Sequence, residues 1–143
     1  MKRIEKLCSF INNSPTAYHS VASVKAELLT AGYTEISPAD LASFCDGGKH
    51  FVTSGSSSII AFDAKPSVGF MIAASHSDSP SFRVKLSGES VGAYSRLMTE
   101  KYGGMIHYTW LDRPLSLAGR VVVRTLIKIL LSSPLLPFTL TEV

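Results

Sequence analysis

The sequence is short of cysteine, of charge and of uninterrupted apolar stretches long enough to cross a membrane. Its two cysteines, Cys8 and Cys45, fit the spacing of no zinc ribbon, redox pair or disulfide framework, so both read as reduced thiols. Charged residues make up 17% and hydrophobic residues 45% of the 143. That is too apolar for a disordered chain and enough for one ordinary core. The net charge of +3 is spread over scattered Lys and Arg, with no basic run and no interleaved aromatics, which argues against nucleic-acid binding. Residues 1–13 are charged and then only briefly apolar, unlike a signal peptide. The apolar stretch 115–138 is broken by Arg120, Arg124 and Lys128, unlike a membrane span. These absences suggest a cytoplasmic protein, and the positive mean hydropathy suggests apolar surface that expects a partner.

What is present begins with helical spacing. Residues 1–11 are expected to form a helix with Ile4, Leu7, Cys8 and Ile11 on one face. Ser14-Pro15 supplies a cap and first residue for a second helix, whose apolar stripe is Tyr18, Val21, Ala22, Leu28 and Leu29 and which Gly32 ends. His19, mid-helix in this reading, is structural. Residues 49–53 and 57–62 read as two strands joined by Ser54-Gly55-Ser56, and Pro66-Ser67 turns the chain into a third. Two helices followed by strands make an α/β beginning. Beyond Pro80, residues 82–86 read as a short strand and 88–92 as a turn, with further strands over 94–108 and 119–124.

The third strand carries the chemistry. The apolar run 68–75 reads as a buried strand that delivers His76-Ser77-Asp78-Ser79-Pro80 at its end. A His binds a metal well when a carboxylate or carbonyl fixes its ring, and in extended chain residues two apart share a face. His76 is therefore a candidate metal ligand and Asp78 its supporting carboxylate. A structural strand-end His is the other reading of the same spacing.

Several stretches, in order along the chain, resemble the aspartyl aminopeptidase family of zinc metallopeptidases. They are Phe10-Ile11-Asn12-Asn13-Ser14-Pro15-Thr16-Ala17-Tyr18-His19, Ser57-Ser58-Ile59-Ile60-Ala61-Phe62, His76-Ser77-Asp78-Ser79-Pro80, Tyr102-Gly103-Gly104 and Thr109-Trp110-Leu111-Asp112-Arg113-Pro114-Leu115-Ser116-Leu117-Ala118-Gly119-Arg120-Val121. The resemblance implies removal of amino-terminal Asp or Glu from peptides by a site holding two Zn²⁺, with His76 a metal ligand and Asp78 its support. It also implies that the other ligands and the Glu base belong to a later part of the catalytic domain, so that this chain alone is inactive. A non-catalytic module that pairs with full-length relatives is the alternative.

By the same resemblance, residues 1–84 are the amino-terminal portion of a catalytic domain. Residues 85–143 open an inserted, β-rich dimerisation domain of a family that assembles as homo-oligomers, with Trp110, Asp112 and Arg113 structural: an indole in a core and a charged pair fixing a turn. His107 is a local substitution and His50, ahead of its strand, has no assigned role. The tail 126–143 is expected to be a frame-shifted reading of the family's next segment. One choice of codons for Leu136 to Glu142 spells Ala-Ile-His-Ile-Asn-Arg in the offset frame, close to the family's Leu-Ala-Ile-His-x-Asn-Arg.

Overall fold

A computed structural model describes residues 2–43, 47–63, 65, 69–91, 94–121 and 138–140. The chain divides into two compact units, Met1–Asp78 with Leu117–Val143, and Ser79–Ser116.

The first unit opens with α1 (Lys2–Asn12) and α2 (Ala17–Thr30). The helical spacing of α1 gathers Ile4, Leu7 and Ile11 on one side, yet each stays more than half exposed. Lys6 Nζ meets Glu27 Oε2 on α2 at 2.8 Å, an exposed pair that contributes less than about 1 kcal/mol. The second helix starts two residues later than Ser14-Pro15 suggests. Thr16 is its cap, and the Thr16 hydroxyl accepts from the His19 N–H at 3.4 Å and lies 2.7 Å from His19 Nδ1. His19 is thus the third helical residue, held by the cap, and not a mid-helix residue.

Gly32 ends α2 at φ +81°. Its N–H donates to Leu29 O at 3.1 Å and the Tyr33 N–H donates to Leu28 O at 3.0 Å, which together satisfy two orphan carbonyls of the last turn. A side chain at this left-handed position is strained, so Gly32→Ala is expected to lower stability by about 1 kcal/mol. The check is a urea titration in which the midpoint falls and the slope does not change.

Three strands follow, β1 (Thr34–Glu35), β2 (Lys49–Ser54) and β3 (Ser58–Asp63), ordered β1-β2-β3 with β1 parallel and β3 antiparallel to β2. Gly55 and Ser56, both at φ +58°, make the tight turn between β2 and β3. α2 packs on β1 and β3. Val21, Ile36 and fully buried Phe51 form the core, the Phe51 ring alone contributing roughly 1.5–3 kcal/mol by burial. His50 lies inside β2 and not ahead of it. It is buried on the face opposite Phe51, its ring 5.9 Å from that of Phe62 on β3. The α/β class read from the sequence is the class observed.

Glu35 ties the layers together. Lys25 Nζ on α2 meets its Oε2 at 2.6 Å, and the Thr53 hydroxyl on β2 donates to its Oε1 at 3.0 Å. The Lys25 hydrogen bond first, and the Thr53 bond second, hold the Glu35 carboxyl below the ordinary carboxylate range. A carboxyl whose folded value lies below its unfolded one stabilises fully above the unfolded value and loses that contribution as pH falls through the folded one. Glu35→Gln is therefore expected to flatten the loss of stability between about pH 5 and pH 3, by less than about 1 kcal/mol because the pair is partly exposed. Denaturation midpoints of both proteins across that range check it.

The run 69–76 departs from the sequence expectation. It forms no strand, and Phe70, Met71 and Ile72 are 93, 103 and 87% exposed. A run that is apolar at successive positions needs neighbours on both edges and cover on both faces, and the described residues supply neither. The expected turn at Pro66-Ser67, and Val68, lie outside the described residues, as does Cys45.

The second unit is built on a hairpin of β4 (Ser81–Val91) and β5 (Tyr94–Tyr102). The expected turn over 88–92 is instead largely strand. Between Val84 and Gly88 the register advances four residues on β4 against two on β5, so Gly88 sits at an irregularity within the strand, a usual place for a strand glycine. The expected strand over 94–108 ends at Tyr102, and His107–Trp110 is a 3₁₀ turn. Phe82 packs between the stacked ring of His107 at 6.3 Å and the edge-on ring of Trp110 at 5.6 Å. Trp110 thus packs against Phe82 but is only half-buried, short of the core position expected for the indole, and Asp112 and Arg113 form no ion pair with each other. The turn there is marked by Asp112 at φ +54°, a left-handed conformation that Asp adopts more readily than most residues.

Back in the first unit, β6 (Gly119–Val121) pairs in parallel with β7 (Phe138–Leu140). The expected strand over 119–124 is described only to Val121. The frame-shifted reading of 126–143 lies outside the described residues apart from 138–140.

Candidate metal-ligand site

The site is a short segment on the first unit. Ser77 anchors it: its hydroxyl donates to Ser57 O at 2.8 Å, at the end of the turn between β2 and β3. This fixes the backbone between His76 and Asp78 against the turn, while the two flanking side chains stay 77 and 43% exposed.

His76 Nδ1 lies 2.8 Å from the Asp78 carbonyl oxygen and 3.0 Å from Asp78 Oδ1. Both partners are acceptors, so the ring proton belongs on Nδ1 and the lone pair on Nε2. An imidazole held this way by a carboxylate and a carbonyl is arranged for a divalent cation at Nε2. The donor set suits zinc, which takes imidazole nitrogen readily.

One imidazole is nevertheless one ligand. Among the described residues no cluster of three or more His, Cys, Asp or Glu is placed to hold a metal. A catalytic zinc takes about three protein ligands. The residues present therefore fit one ligand position with its supporting carboxylate, and not a complete metal centre. With 77% of the His76 side chain exposed, nothing among the described residues shields the site from water.

The remaining histidines do not join it. His19 caps α2, His50 is buried in β2, and His107 stacks on Phe82 in the other unit. The burial of His50 was missed in the sequence, although the alternation of the strand beginning at Lys49 places it opposite Phe51. No helix among the described residues is long and apolar enough to cross a membrane.

Comparison with known proteins places the chain in a family. At 44% identity over 126 residues, the chain is similar to a probable M18 family aminopeptidase 2 of Clostridium acetobutylicum, a match covering 84% of this chain and 29% of the relative. It is similar to aspartyl aminopeptidase 1 of Schizosaccharomyces pombe at 46% identity over 121 residues, covering 80% and 26%. The chain thus spans under a third of the length of these relatives. Among solved structures, mApe1 of Chaetomium thermophilum superposes with a TM-score of 0.68 at 35% identity, covering 76% of this chain and 26% of that one. A chain from the cryo-EM structure of the Ape4 and Nbr1 complex does so with 0.67 at 40%, covering 73% and 21%. The mApe1 dodecamer of Saccharomyces cerevisiae, at 22% identity and a TM-score of 0.60, shares the fold. The model of the aminopeptidase I zinc metalloproteases (M18) matches residues 10–133, all but the two ends, and the chain belongs to that family.

Proposed function

We propose that this chain contributes the first metal ligand, His76, and the surrounding part of the catalytic fold to an aminopeptidase that removes amino-terminal Asp or Glu from peptides. The observation that carries the reading is the double hold of Asp78 on His76 Nδ1, which presents Nε2 to a cation. The aspartyl aminopeptidase names of relatives supply the substrate class.

In a complete site holding two zinc ions, His76 would be one ligand, and the metal would supply polarisation of the scissile carbonyl and a more acidic water. The part played by this chain is to orient: Asp78 keeps the proton on Nδ1, and Ser77 pins the segment to the sheet turn. Residues 1–84 act as the first portion of the catalytic domain and residues 85–143 as the opening of an inserted domain for subunit pairing. The unit Ser79–Ser116, flanked in sequence on both sides by the first unit, supports an insertion. Homo-oligomeric assembly and a cytoplasmic location complete the proposal.

On this reading the 143 residues alone do not turn over substrate, because one ligand does not retain a catalytic zinc. The test is an assay of the purified chain on amino-terminal aspartyl and glutamyl chromogenic substrates with added Zn²⁺. The expected rate is that of buffer. Turnover that His76→Ala abolishes would overturn the inactivity, and turnover that survives it would overturn the role of His76.

A further inference from the structure

We infer that the turn between β2 and β3 is a positioning element for the metal ligand, and that its extra residue, Ser57, sets how tightly His76 holds zinc. The inference rests on the metal role proposed for His76 and adds to it a determinant 20 residues away in sequence. Ser54 pairs with Ser58 at the end of the ladder, so Gly55, Ser56 and Ser57 make a turn for which two residues suffice. Gly55 and Ser56 carry the reversal, both at φ +58°, and the Ser57 N–H closes it on Ser54 O at 3.3 Å. Ser57 is left opposite no residue of β2, and its carbonyl takes the Ser77 hydroxyl at 2.8 Å. Ser56 holds a left-handed conformation that residues other than glycine adopt uncommonly, and such a conformation persists where its surroundings fix it.

The consequence for zinc follows from where the restraint acts. Asp78 holds the His76 ring through its carbonyl and its carboxylate, a hold that spans two residues and turns with the backbone that carries both. The Ser77 bond ties that backbone to the hairpin, so the direction of Nε2 is inherited from the turn. Ser77 and Ser57 are both half-buried, which protects the bond from competition by water. A ligand that must meet others from distant segments loses affinity when its direction wanders, because ordering it then falls on the binding step. One neutral hydrogen bond sets the scale, about tenfold in affinity. Ser77 and the turn are thus positioning residues, acting on the metal only through His76.

Two readouts test it. Zinc affinity is measured by chelator competition in the C. acetobutylicum relative carrying residues 10–133 of this chain in place of its own, and backbone order of residues 76–78 by NMR relaxation in the metal-free 143-residue chain. Ser77→Ala should weaken zinc about tenfold and lower the order parameters of 76–78 from about 0.85 towards 0.6. Ser77→Thr, which keeps the hydroxyl, should restore both. Replacing Gly55-Ser56-Ser57 by Asn-Gly makes a two-residue turn that suits the hairpin and removes the acceptor. Its denaturation midpoint should hold or rise while zinc affinity falls by the same factor, and adding Ser77→Ala should weaken zinc no further. A merely structural turn would spare the metal. The inference is overturned if Ser77→Ala leaves either readout unchanged, if Ser77→Thr weakens zinc as much as Ser77→Ala, if the short turn keeps full affinity, or if the two effects add. His76→Ala separates the failures: zinc binding that survives it removes the metal role and the inference together, whereas binding that it abolishes but that the Ser77 and turn variants leave intact removes the inference alone.

Discussion

Replacing His76 by Ala in an M18 relative that carries residues 10–133 of this chain in place of its own is expected to lower kcat/KM about 1000-fold. The estimate follows from the chemistry of the position. A bound metal supplies several kcal/mol of charge stabilisation to the transition state, at about 1.36 kcal/mol per tenfold in rate. Removing the imidazole leaves Asp78 with nothing to orient, and the neighbouring Ser77 hydroxyl, committed to Ser57 O, does not reach into its place. The zinc content measured on the purified protein should fall with the rate, and the thermal midpoint should fall by the stabilisation that bound zinc supplies to the folded state. A loss below tenfold at unchanged zinc content would remove His76 from the metal site.

Asp78→Asn in the same hybrid should weaken zinc binding by about 10–100-fold, the range for a carboxylate that orients a liganding imidazole. The direction comes from charge. The amide oxygen still accepts from Nδ1–H, so the ring keeps its pose, but the electron-rich carboxylate that raises the basicity of Nε2 is gone. The backbone carbonyl at 2.8 Å continues to hold the tautomer, which sets a floor to the loss. A chelator competition series reads the affinity directly. If Asp78→Asn equals His76→Ala, Asp78 itself binds metal, and if it changes nothing, the carbonyl alone orients the ring.

Much of the local structure was legible. The helical stripe of α1, the Gly32 stop of α2 and the paired strands around Ser54-Gly55-Ser56 each follow from spacing, from positive φ or from β-propensity, all properties of a few neighbouring residues. The cap of α2 was misplaced by two residues because Ser14 and Thr16 both have capping hydroxyls, and only the geometry showed that Thr16 reaches the His19 N–H. Gly88 was read as a turn because a strand irregularity and a turn use the same residue. Which of them forms depends on a partner strand, here β5.

By itself the sequence determined the α/β class, the family and the pairing of His76 with Asp78, since all rest on residue order over short spans and the last needs only a two-residue reach. The tertiary structure decided what depends on distant chain. It showed that Glu35 joins α2 to the sheet, that His50 is buried and that Phe82 gathers His107 and Trp110 around it. It also showed that the run 69–76 stays exposed. Apolar patterning states that a segment favours burial, but burial is a property of pairs of surfaces, and a strand becomes one only where both of its edges find hydrogen-bonding neighbours.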